Sequence, residues 1–145
     1  MLAPALNADL PDIVALVNAS YRGESARQGW THEADYIDGE RTNLETLKAD
    51  LASNPGARLL VSRDPADVRP DRQDRRLGRQ VLAQAEAMIK AAGGVRVRMT
   101  VVHLRDTLIA WCQRRGYALT SERLPFPCGD PPRTDLSFVV LEKPI

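Results

Sequence analysis

Between residues 63 and 76 the chain reads RDPADVRPDRQDRR, and no β-strand with a buried face can be drawn through it. Nine of these fourteen residues are charged, two are proline, and otherwise only Ala66 and Val68 are apolar. A strand that packs one face on a core needs an apolar residue at alternate positions, and proline cannot donate to a ladder. Any sheet this chain forms is therefore expected to be interrupted here by an exposed loop with no regular strand. The strands on either side must find other partners, and an unpaired edge invites pairing with a second copy of the chain.

The sequence after the interruption is strongly patterned. Leu77, Val81, Ala85, Met88 and Ala92 share one helical face, and Gly93-Gly94 supplies a stop signal. Residues 95–102 alternate Val95, Val97, Met99 and Val101 with Arg96, Arg98, Thr100 and Val102, which predicts a half-buried strand. Leu104, Leu108 and Trp111 mark a second helix, with Arg114 and Arg115 in its last turn and Gly116 ending it. Strands are expected over 117–122 and 135–143, with a proline-rich loop over 123–134. A sheet with helices on both faces is expected, in which the two helices pack beside the 95–102 strand.

The first half is less regular. Residues 2–6 (LAPAL) make a short edge strand at best, because Pro4 lies inside it. Asn7 is a plausible N-cap for a helix carrying Leu10, Ile13, Val14 and Val17, with Pro11 in its first turns and Gly23 breaking it. Residues 21–30 read as a polar loop with aromatic ends, followed by a short helix from Thr31 to near Gly39. Thr42 and Glu45 have the spacing of a capping box ahead of Leu44, Leu47 and Leu51, and Asn54-Pro55-Gly56 ends that helix. Residues 57–62 (ARLLVS) read as a buried strand. The resulting order is that of a single α/β or α+β domain over 1–145.

Composition narrows the classes of function. Twenty Lys and Arg against nineteen Asp and Glu leave a formal charge of +1, which argues against a dedicated nucleic-acid binder. Cys112 and Cys128 form no CxxC pair, which predicts a reducing compartment and no structural zinc. The first residues lack a basic, apolar leader, and no stretch has the length of a membrane span, so the expected location is the cytoplasm with no membrane partner. His32 and His103 lack the Ser or Cys motifs of a hydrolase, and no metal or phosphate-loop pattern occurs.

Three stretches carry a resemblance: LVNASYRGESARQGWTHEADYIDGERT, RVRMTVVHLRDTLIAWCQRRGY and DLSFVVLEKPI. Together with the element order they resemble the GNAT superfamily of acetyl-CoA-dependent N-acyltransferases, over nearly the whole chain at both ends. The resemblance implies acetyl-CoA as cosubstrate and a small amine or a peptide amine as acceptor. It also implies a cofactor motif Q-x-x-G-x-G/A at the start of the central helix, where free N–H groups and the positive helix end bind the pyrophosphate. The matching segment here is Gln73-Asp74-Arg75-Arg76-Leu77-Gly78. Gln73 and Gly78 fit the motif; Arg76 replaces its first glycine, and Asp74 sets an anion where another anion should bind.

Two further departures follow from the resemblance. The family places two additional strands between those matching 57–62 and the cofactor helix, the second splayed to admit pantetheine. Here Val68, Pro70 and Gln73 look like the tail of a missing strand, so the fold is expected to lack two central strands. The family's late-helix tyrosine, which protonates the leaving thiolate, corresponds to Cys112 in Trp111-Cys112-Gln113-Arg114-Arg115-Gly116-Tyr117. The implied cofactor-binding residues are thus Val68, Gln73, Arg75, Arg76, Gly78 and Arg79. Tyr21, Arg22 and Trp30 border the acceptor pocket, and Glu24 and Cys112 are the candidate catalytic groups. Each has a plainer reading. The arginine-rich 69–79 stretch reads equally as a solvated loop, the 21–30 loop as one packed by its aromatics, and Cys112 as a small core residue. The resemblance thus implies an N-acetyltransferase or a catalytically inactive derivative, and exposed strand edges give either form a route to a homodimer.

Overall fold

The structure, a computed structural model, describes residues 1–27, 32–62, 77–126 and 133–145. The charged stretch 63–76 lies outside the described residues, and with it the expectation of an exposed loop there. The chain divides into two compact units, Met1–Ala85 and Glu86–Ile145.

In the first unit, strand β1 (Leu2–Pro4) pairs antiparallel with β2 (Leu60–Ser62), Leu2 opposite Ser62 and Pro4 opposite Leu60. Pro4 sits at the strand's end, where its missing N–H breaks no ladder. A 3₁₀ turn at Asn7–Asp9 precedes helix α1 (Leu10–Tyr21), so the helix begins two residues later than an Asn7 cap would place it. Pro11 falls in its first turn, where an amide has no intrahelical acceptor to lose. Arg22 leaves helical geometry at φ −130° and ψ 154°, and Gly23, at φ +72°, turns the chain back into one more helical turn, α2 (Gly23–Ala26). That stretch reads as a loop in sequence; the positive φ of Gly23 and the complete burial of Ala26 make it helical instead.

The helix expected over 31–39 is reduced, among the described residues 32–39, to a single turn in which Tyr36 N and Ile37 N both bond Glu33 O. Glu33 is drawn into other bonds: its amide donates to Tyr21 O at 2.9 Å, and its carboxylate pairs with Arg22. Helix α3 (Leu44–Ser53) is capped by Asn43, whose Oδ1 accepts from Thr46 N at 2.9 Å. Thr42 does not serve as the cap, because its amide and carbonyl are both bonded to Asn18.

The second unit holds a three-stranded antiparallel sheet in the order β3 (Arg96–Val102), β5 (Ser137–Pro144), β4 (Ala118–Pro125). The last strand in sequence is central, and Val139, Val140 and Leu141 are buried along it. β4 extends three residues into the expected proline-rich loop; as an edge strand it accommodates Pro125 at its end, and its register shifts between Leu119 and Arg123. Helix α4 (Leu77–Ala91) is followed by Gly93 at φ +86°, and α5 (Asp106–Gln113) by Gly116 at φ +88°. The register sets Met99 opposite Leu141 and Val97 opposite Lys143. Cys112 of α5 meets Met99, and Glu86 of α4 meets Lys143, so the side chains of both helices reach this one face. Exposed ion pairs line the opposite face: Arg96 to Glu142 at 3.0 Å and Arg98 to Glu122 at 2.6 Å.

Candidate functional site

The end of α1 carries an unusual density of polar anchors for a helix. Asn18, part-buried, uses its whole side-chain amide on a segment more than twenty residues away: Oδ1 accepts from Arg41 N at 2.7 Å and Thr42 N at 3.1 Å, and Nδ2 donates to Thr42 O at 2.9 Å. Arg22 is buried, at 7% exposure, and donates to Glu33 Oε2 at 3.2 Å and to Asp38 O at 3.3 Å. Glu33 is buried too, at 3% exposure, and Arg41 approaches its Oε2 at 3.6 Å. The Arg41 guanidinium lies 5.2 Å from the centre of the Tyr21 ring.

These bonds hold residues 33–42 beside α1 and α2 and leave a cleft of about 570 Å³ between them. That volume suits a small molecule or a short stretch of peptide. Arg22, Glu24 and Arg27 line one side, and Ile37, Asp38 and Glu40 the other. The Glu24 carboxylate is 93% exposed and makes an i,i+3 pair with Arg27 at 3.4 Å. Arg27 also bonds Asp35 at 2.8 Å.

The described part of the expected pyrophosphate site is the first turn of α4. Gly78 is its second residue, Arg79 is exposed beside it, and no acidic residue occurs in that turn. An anion fits such a helix end, because its first amides have no intrahelical acceptors and the dipole is positive there. Val68, Gln73, Arg75 and Arg76 lie outside the described residues, as does Trp30. Cys112 is 2% exposed, its thiol donating to Met99 Sδ at 3.6 Å, and burial pushes its pKa up against the pull of Arg115 and Arg105.

Several solved structures share this arrangement of elements over the entire chain. The ribosomal-protein-alanine N-acetyltransferase from Brucella melitensis superposes with a TM-score of 0.65 at 16% identity, covering 100% of this chain and 99% of its own. The protein yncA from Salmonella typhimurium, solved with its cofactor acetyl-CoA, gives 0.59 at 15% identity, covering 99% and 92%. An N-acetyltransferase from Staphylococcus aureus Mu50 gives 0.59 at 13% identity, covering 99% and 97%. The fold is GNAT-like. No protein-family profile and no curated protein matches the sequence.

The described residues hold five strands, and the stretch where the resemblance puts two further strands lies outside them. Tyr21 ends α1 and Arg22 follows it, with Glu24 in α2; Arg22 and Glu24 are among the residues lining the cleft. The structure places Cys112 and Gly78 on separate elements, α5 and α4. Sequence reading missed Asn18, Glu33 and Arg41, which fix the cleft. The one signal that could have found them is Asn18 itself, an amide residue among the apolar positions of a helix where it lowers intrinsic helix propensity.

Proposed function

We propose that this protein is an acetyl-CoA-dependent N-acetyltransferase whose acceptor amine enters the cleft between α1–α2 and residues 33–42. The observation that carries the reading is the GNAT-like fold matched along the whole chain, with a cleft of ligand size at the end of α1. When bound, acetyl-CoA supplies an acetyl group on a thioester, open to direct attack by an amine. Gly78 and Arg79 would hold its pyrophosphate at the start of α4, joined by Gln73, Arg75 and Arg76, with Val68 beside the pantetheine.

The chain's task in this chemistry is chiefly positioning and exclusion of water, so no activated nucleophile is required. Tyr21, Arg22 and Trp30 border the acceptor. Glu24 anchors the amine or takes its proton, and its exposure suits a group that meets substrate arriving from solvent. The exposed carboxylates of Asp38 and Glu40 favour an amine that arrives as ammonium. Cys112, with its raised pKa, keeps a proton at neutral pH and is proposed as the donor to the leaving thiolate.

A second reading, an inactive GNAT-derived protein, is favoured by that same cysteine, which lies 2% exposed with its thiol turned to Met99. Thermal melting with and without acetyl-CoA separates the two. A ligand at a hundred times its Kd adds about 2.7 kcal/mol to stability, and the enzyme reading expects a clear upward shift together with acetylation of at least one amine in a panel. No shift and no transfer would leave the inactive reading. We also propose a homodimer formed through the outer edge of β2 or β3, each of which has one paired neighbour among the described strands. Sedimentation showing only a monomer at high micromolar concentration would reject it.

A further inference from the structure

The first unit has little apolar material with which to hold residues 33–42 in place. Its buried apolar side chains among the described residues are Leu10, Ala26 and Ala34, whereas the second unit buries a row of valines and leucines along β3 and β5. Between Glu33 and Thr42 there is a single turn and no strand. Hydrogen bonds therefore set the position of this segment: Arg27 reaches Ala34 O and Asp35, Arg22 reaches Asp38 O, and further bonds hold its two ends. Arg22 and Tyr21 O hold Glu33, and Asn18 holds Arg41 and Thr42.

We infer that Asn18 is a positioning residue for the acceptor: it fixes residues 33–42 as the far wall of the cleft and thereby sets acceptor affinity. The inference rests on the acceptor reading of the cleft given above. Asn18 itself lines the cleft, but every polar atom of its amide already bonds backbone of Arg41 or Thr42, so its polar groups act on a ligand through that wall. Asparagine suits this because one side chain supplies both the carbonyl that takes two N–H groups and the amide that meets a carbonyl. A helix interior gains nothing from asparagine on its own account, which leaves the wall as the reason for it. Ala34, Ile37, Asp38, Gly39 and Glu40, the wall's contribution to the lining, lie between Glu33 and Arg41, and Gly39 at φ +83° makes the bend there.

The test compares wild type with Asn18→Leu, close in shape but without hydrogen bonds, and with Asn18→Asp, which keeps two acceptors and loses the donor. Amide hydrogen exchange is followed by NMR, and steady-state kinetics are run with whichever amine the wild type acetylates. Loss of bonds each worth roughly 1 kcal/mol should speed exchange at Arg41 and Thr42 by about tenfold or more in Asn18→Leu. Exchange in β3 and β5 should be unchanged. Acceptor KM should rise about tenfold with kcat within about twofold, the pattern of lost binding that is uniform along the reaction, and the melting shift with acetyl-CoA should persist. Asn18→Asp should fall between, and it carries the test if Asn18→Leu fails to fold. Unchanged exchange at Arg41 and Thr42 overturns the inference whatever the activity, as does a loss confined to kcat. A wild type that acetylates no amine instead overturns the reading on which the inference rests, and the exchange data separate that failure from the first.

Discussion

The buried pair of Arg22 and Glu33 shows why single side chains matter in a unit with so little apolar core. Two charges at 7% and 4% side-chain exposure stabilise one another only while both are present. Arg22→Met takes the guanidinium away from the buried Glu33 carboxylate and should cost about 3 kcal/mol, read from urea unfolding; adding Glu33→Met should restore most of the loss, because the buried charge goes with it. A second cluster, in the other unit, predicts a pH profile. Glu86 Oε1 takes the Tyr117 hydroxyl at 2.8 Å, and Glu86 Oε2 takes Lys143 Nζ at 2.8 Å. Burial works against the Glu86 carboxylate, but the bonds from Lys143 and Tyr117 outweigh it and its pKa falls. Burial first, then the bond to Glu86 and its charge, push the Tyr117 phenol well above its ordinary range. A depressed carboxyl gives stability that is present above the unfolded value, near pH 4.3, and lost as pH falls through the folded value. A raised phenol gives stability that is present below about pH 10 and lost as pH rises beyond it. The urea midpoint should therefore decline on both sides of a plateau between those limits. Tyr117→Phe should lower the plateau and flatten its alkaline side, while Lys143→Met should weaken the acid side.

At the scale of elements, legibility in the sequence followed the source of the structural information. α4, β3 and α5 were readable because periodicity and terminal glycines are local signals, and Gly93 and Gly116 adopt the positive φ that ends a helix. α2 and the single turn after His32 were not, because Gly23 and the Arg22–Glu33 pair decide them through contacts that no window of sequence contains. The start of α3 lies between these cases. A threonine and a glutamate at the right spacing point to Thr42 as cap, yet Asn18 occupies the Thr42 backbone and shifts the cap to Asn43. Asn43→Ala should then cost about 1 kcal/mol, and Thr42→Ala much less, in chemical denaturation. Equal losses would restore the sequence reading. The candidate site divided in the same way: Arg22 and Glu24, named from resemblance, line the cleft, whereas Glu33 and Arg41, which help fix its far side, come from a segment with no periodicity.

At the scale of the molecule, the two units keep their stability in different forms. The first depends on directed bonds among part-buried polar groups, the second on valine and leucine packed along a central strand. A binding cleft gains from the first arrangement, since a wall held by hydrogen bonds can shift without opening an apolar core. The second arrangement encloses the sulfur pair of Cys112 and Met99. Alkylating reagents need a thiolate within reach, and here burial both covers the sulfur and holds its proton. The cysteine thus acts as a clock fitted inside the sheet unit: its rate of modification counts how often that unit opens.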